Sequence, residues 1–74
     1  MTLYKNRAGD SGVTAYETGK DFIVIKFIDG TNYLYTNAAT GESHIEQMKK
    51  LAAQGKGLST YISQHVKDRY ARKF

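Results

Sequence analysis

Residues 22–27 read Phe-Ile-Val-Ile-Lys-Phe, and no other stretch limits the fold so tightly. Five of the six are β-branched or aromatic, the residue types that fit a pleated, half-buried strand. Turn formers bound the run on both sides, Gly19-Lys20 before it and Asp29-Gly30 after it. Each pair suits a short hairpin loop, Gly19-Lys20 as a two-residue loop with glycine first. The flanking segments, Val13 to Thr18 and Thr31 to Thr36, also read as strands. Three antiparallel strands in meander order follow. In the first, alternation puts Val13, Ala15 and Glu17 on one face and Thr14 and Tyr16 on the other.

After Thr36 the apolar period changes. Ser43 and Glu46 have the spacing of a capping box, which would satisfy two orphan amides at a helix start. Ile45, Met48, Leu51 and Ala52 then recur at helical intervals, and Gly55 reads as a left-handed cap. A second stripe runs through Leu58, Tyr61, Ile62, His65, Val66 and Arg69. The expected fold class is α+β: a three-stranded antiparallel β-meander followed by two α-helices packed on one face. Residues 1–12, with Asn6, Gly9, Asp10, Ser11 and Gly12, read as a flexible or turn-rich lead-in. Residues 13–74 read as a single domain.

A core of this size stabilises only weakly, by roughly 3–5 kcal/mol, unless something staples it. The 74 residues include no cysteine, so disulfides and thiolate metal sites are excluded. The two histidines, His44 and His65, lack ligand-like spacing, and no metal or cofactor is expected. The longest apolar run is strand-sized and the start of the chain has no signal-like stretch. A cytoplasmic protein without a membrane segment is the expectation.

The hairpin at Asp29-Gly30 can close in two registers that point the tyrosines in opposite directions, because a one-residue slip moves every side chain to the other face. A two-residue loop sets Lys26 against Tyr33 and Val24 against Tyr35. Both tyrosines then share a face with Lys26, an aromatic and basic platform of the kind on which unpaired bases stack. A three-residue loop, Ile28-Asp29-Gly30 with Gly30 left-handed, sets Ile25 against Tyr33 and Ile23 against Tyr35. The tyrosines then become core residues. We favour the second closure, since it groups Lys26 and Asn32 outside.

No arrangement of serine, histidine and aspartate marks a nucleophile, and a catalytic pocket of about 300 Å³ is a large share of so small a body. An enzyme is not expected. His65, on the apolar stripe, reads as a packing residue and His44 as solvated. Charge is more informative. Residues 1–48 hold four cations and six acids, a balance of −2, whereas 49–74 hold seven cations and one acid, a balance of +6. A basic end of this kind meets a polyanion or simply solubilises a terminal helix. Lys56, with Gly57 and Ser59 at the start of the second helix, has the makings of a phosphate site, or of an ordinary helix connection. Lys67, Arg69, Arg72 and Lys73 do not share one helical face. They suit either phosphate contacts or the negative end of a helix dipole.

These residues, taken in order, resemble the KTSC domain, found at the C-terminus of some lysyl-tRNA synthetases and as small free-standing bacterial proteins. The resemblance covers about residues 10–70. It rests on Ile23, Ile25 and Phe27, on Gly30, on Tyr33-Leu34-Tyr35, on Ala52-Ala53-Gln54-Gly55 and on Gly57-Leu58-Ser59-Thr60-Tyr61-Ile62. The chain departs from that pattern in its loosely matching Asp10-Ser11-Gly12 opening, in a connector without proline after Tyr35, and in Ser59 where asparagine is common. The resemblance implies a meander-plus-helices fold, and the attachment to a synthetase suggests RNA. The expectation is a small non-catalytic binding module of unestablished function, binding RNA or another nucleic acid through its basic C-terminal half. The nucleic-acid contacts would be Lys56, Gly57, Ser59, Lys67, Arg69, Arg72 and Lys73 with Tyr33 and Tyr35. The alternative is a protein-interaction or self-associating module, motivated by a sheet face bearing Phe22, Val24 and Leu34.

Overall fold

The computed structural model describes residues 1–7, 9 and 12–74. The expected turn at Asp10 and Ser11 lies outside the described residues. The chain forms strands β1 (Thr2–Leu3), β2 (Val13–Thr18), β3 (Phe22–Phe27), β4 (Asn32–Thr36) and β5 (Arg72–Lys73). Between β4 and β5 come helix α1 (Asn37–Thr40), helix α2 (Glu42–Gln54) and helix α3 (Leu58–Tyr61), the last running into a π turn at Ile62–Val66. The sheet is antiparallel throughout, in the order β1-β2-β3-β4-β5. The class is α+β as expected, but the antiparallel sheet has five strands rather than three.

The two added strands are short and come from the ends of the chain. Thr2 and Leu3 pair with Tyr16 and Ala15, and the next residue, Tyr4, is buried in the core. Residues 2 to 4, expected in a loose lead-in, therefore form a sheet edge. At the other end the helix stops at Val66, and Arg72 and Lys73 pair with Leu34 and Tyr33. Of the C-terminal cations, Lys67 thus caps the π turn, Arg69 lies in the loop after it, and Arg72 and Lys73 form an edge strand. Two-residue strands at both edges leave little unpaired backbone to recruit another chain.

The β3–β4 hairpin takes the three-residue closure. Ile25 faces Tyr33 and Ile23 faces Tyr35. Gly30, at φ +88°, donates its amide to the Phe27 carbonyl at 2.9 Å. The β2–β3 turn falls one residue later than expected: Gly19 donates to the Phe22 carbonyl, leaving Lys20-Asp21 at the tip. The face assignment in β2 also changes. A bulge lies between Val13, which faces Phe27, and Ala15, which faces Lys26. The extra residue, Thr14, moves Val13 to the helix side beside Phe27 while Ala15 and Glu17 stay outside. Thr14 closes the bulge by donating from Oγ1 to the Lys26 carbonyl at 3.2 Å.

All the helices cover one face. Ile45, Met48 and Ala52 of α2, Leu58 of α3, and Ile62 and Val66 of the π turn bury against Tyr4, Val13, Ile23, Ile25 and Tyr35. The capping box does not form. Helix α1, capped by Thr36 Oγ1 on the Ala39 amide, directly precedes α2, whose N-cap is Gly41. Ser43 therefore falls inside the helix, and Glu46 pairs with Lys49 at 3.4 Å instead. Gly55 does end α2 as a left-handed residue, its amide donating to the Leu51 and Ala52 carbonyls. A Cβ there would lie 2.5 Å from the Lys5 Cβ. Gly55→Ala should lower the unfolding free energy by about 1–2 kcal/mol from the backbone alone, with the Lys5 contact adding to it. Urea titration of the two proteins checks this.

Candidate functional site

A cleft of about 580 Å³ opens among the described residues. Its walls are the β3–β4 hairpin, through Phe27, Ile28, Asp29, Tyr33 and Tyr35, and the segment after α3, through Ile62, Ser63, Lys67, Asp68 and Tyr70. The hairpin side exists because of the register described above. Phe27, Tyr33 and Tyr35 alternate onto the helix-covered face, but the helices end before reaching the hairpin tip. Tyr33 and Phe27 are therefore only partly covered, while Tyr35, one pair further in, is 1% exposed.

Four rings line the site in contact. Phe27 meets Tyr33 edge-on at 5.2 Å between centroids. Tyr33 lies 4.9 Å from Tyr70, and Tyr35 meets Tyr70 edge-on at 6.3 Å. Such offset and edge-to-face pairs are the favourable aromatic geometries. The Lys73 ammonium sits 5.7 Å from the Tyr33 ring centre, within cation–π range. Ile28, 79% exposed, stands at the mouth.

The opposite wall depends on an unusual backbone. The π turn puts Ile62 and Val66 in the core through wide i to i+5 bonding, and Lys67 donates its amide to the Ile62 carbonyl at 2.6 Å. Lys67 then takes φ +32°, a conformation that costs a non-glycine residue of order 1–3 kcal/mol. Two hydroxyls hold the segment there. Tyr35 Oη donates to the Lys67 carbonyl at 3.1 Å, and Thr40 Oγ1 donates to the Arg69 carbonyl at 2.6 Å.

Two ionisable groups of the cleft are displaced. Burial pushes the Tyr35 phenol up to about 12, so it remains a hydrogen-bond donor under all ordinary conditions. The Asp29 carboxyl is lowered because it accepts from Thr31, whose amide lies 2.9 Å from Oδ1. That carboxylate serves the turn.

The residues expected to contact nucleic acid are divided. Tyr33, Tyr35, Lys67 and Lys73 meet at the cleft. Arg69 is exposed beside it, and Arg72 points to the other side of the sheet, 5.4 Å from the Phe74 ring. Lys56, Gly57 and Ser59 lie by the opposite sheet edge, since Leu58 donates its amide to the Tyr4 hydroxyl at 3.3 Å and Arg7 donates to the Gly55 and Gln54 carbonyls. The Leu58 amide is thus already engaged, and α3 is a single turn. Phe27 and Tyr70 were not anticipated. Phe27 read only as part of the strand 22–27, and Tyr70 reaches Tyr33 through the return of the chain along β4. The histidines also differ from expectation. His44 Nδ1 hydrogen-bonds the Tyr61 hydroxyl at 2.7 Å, and His65 is exposed but stacks on Tyr61 at 4.4 Å. Among the described residues no three His, Cys, Asp or Glu side chains gather as metal ligands, and no helix is long and apolar enough to cross a membrane.

No protein-family model, curated protein or solved structure matches this chain.

The raised phenol gives a direct check. Its folded value lies above the ordinary 10.0, so the stability it contributes is intact below pH 10 and is lost as pH climbs from 10 to about 12. Absorbance titration at the phenolate band should show one tyrosine ionising late, near pH 12. Tyr35→Phe should remove that late step and leave the others in place.

Proposed function

We propose that the chain is a non-catalytic module that binds single-stranded RNA along its β5 edge, with one unpaired base held in the aromatic cleft. The observation that carries this reading is the partly open wall of Phe27, Tyr33 and Tyr70 with Lys67 and Lys73 beside it. Base–aromatic stacking contributes about 1–3 kcal/mol per base and tolerates any sequence. Ser63 and the Asp68 carboxylate at the same mouth suit the polar edge of a base. Phosphates on either side would meet Lys67, Lys73 and Arg69. The +6 balance of residues 49–74 supports a polyanionic partner. The KTSC-like order of residues and the cytoplasmic compartment belong to the same proposal.

Binding of a short mixed-sequence RNA, followed by fluorescence anisotropy at two salt concentrations, tests it. Three phosphate contacts at about 0.7 each predict a log–log salt slope of roughly −2. Tyr70→Ala should weaken binding by about 1–3 kcal/mol without changing that slope. Lys67→Gly suits the positive φ at that position and should leave folding intact or improved. Combined with Lys73→Ala it should reduce the slope by about 1.4, two contacts' worth. No binding at low salt, or variants that bind as the parent does, would remove RNA from the cleft.

A further inference from the structure

The sheet has a second face, and no helix covers it. Paired residues of an antiparallel sheet project to the same side, so the register writes out this face in rows. One row runs Leu3, Ala15, Lys26, Asn32 and Phe74 across all five strands. The next runs Glu17, Val24, Leu34 and Arg72. Ala15 and Val24 are 6% and 8% exposed, yet neither belongs to the core cluster on the helix side. They form the floor of a separate apolar strip. At its two ends stand Leu3, 78% exposed, and Phe74, 55% exposed. Five strands at about 4.8 Å spacing make the strip roughly 19 Å wide, enough for three to four turns of a helix laid across the strands.

We propose that this outer face docks an acidic amphipathic α-helix of a partner protein. Over the floor of Ala15 and Val24, the apolar surface left for a helix with an apolar stripe is at Leu34, Leu3 and Phe74; nucleobases stack on aromatic rings. The charges select the sign of the partner. Lys26 and Arg72 rise from the two rows and, among the described residues, neither takes part in an ion pair. The one acid in the rows, Glu17, already lies 4.0 Å from the amino group of Met1. A second copy of the chain would bring two more cations to the face and, among its described row residues, no acid beyond the already paired Glu17, and adding like charge is unfavourable. A helix carrying glutamates or aspartates beside its apolar stripe answers both cations. Next to Lys26 in the first row, Asn32 Oδ1 is buried and has no hydrogen-bond partner among the described residues.

The test uses two synthetic amphipathic peptides of about 18 residues, five helical turns, with one leucine stripe flanked by glutamates or by lysines. Amide shifts of the full chain are followed by NMR. The glutamate peptide should move the amides of Lys26, Leu34, Arg72 and Phe74, leave Tyr33 and Tyr70 in place, and bind about tenfold more tightly than the lysine peptide, about 1.4 kcal/mol. Lys26→Glu with Arg72→Glu, both at exposed positions, should reverse that preference. Equal binding of the two peptides, shifts confined to the cleft, or no shifts at all overturns the proposal. So does movement of the outer-face amides by RNA alone, which would make the face a nucleic-acid platform, or a dimer by sedimentation that the double variant dissociates. The RNA reading of the cleft survives or fails separately, on the Tyr33 and Tyr70 amides.

Discussion

The pairing of Ile23 and Ile25 with Tyr35 and Tyr33 is the contact on which everything else in the molecule rests. A left-handed glycine at position 30 turns the chain in three residues, and that loop length sets the register. Pairing then places five large side chains, Ile23, Ile25, Phe27, Tyr33 and Tyr35, on one side of the sheet. The two tyrosines join the isoleucines beneath the helices only because of that choice. Shifted by one residue, β4 would set Leu34 beside the isoleucines and send both tyrosines to the face of Lys26.

From that register the cleft follows by geometry. The helical layer contacts the inner end of the hairpin and leaves its tip open, so consecutive inward tyrosines have different fates. Tyr35 is sealed and becomes a structural donor to the Lys67 carbonyl. Tyr33 keeps a face toward solvent and meets Tyr70 and Lys73. One side chain holds the far wall in place and its neighbour lines the opening. The strained Lys67 backbone is tolerable because the Tyr35 hydroxyl and the Ile62 carbonyl both hold it, the pattern in which surrounding structure over-determines an uncommon conformation.

The positive charge of the C-terminal third is divided by the sheet. Because β5 is a strand, alternation sends Lys73 toward the cleft and Arg72 with Phe74 toward the outer face. Lys56 belongs to the opposite edge. The molecule therefore has two unlike surfaces, an aromatic cleft with cations at its rim and a flat aliphatic strip flanked by Lys26 and Arg72. Their chemistry differs enough that one partner class does not suit both.

Much of this was legible in the residues. The β-branched and aromatic run of 22–27, the turn formers around it and the i, i+3, i+4 repeats of α2 are local signals, and local signals define β2, β3, β4 and α2. The grouping of Lys26 with Asn32 pointed to the correct hairpin register. Three features were not legible, and each has a non-local cause. Thr2–Leu3 and Arg72–Lys73 are too short to show a period, and they are strands only because edges stand ready to pair with them. The bulge at Thr14 is visible only against its partner strand. The cleft needs Tyr70 beside Tyr33, 37 positions earlier in the chain, and no spacing rule reports a contact at that separation. Sequence determined the elements and which side chains had to be buried, because propensity and periodicity act over a few residues. Tertiary pairing decided where the cations and the leftover aromatic surface came to lie, because those positions depend on how distant segments meet.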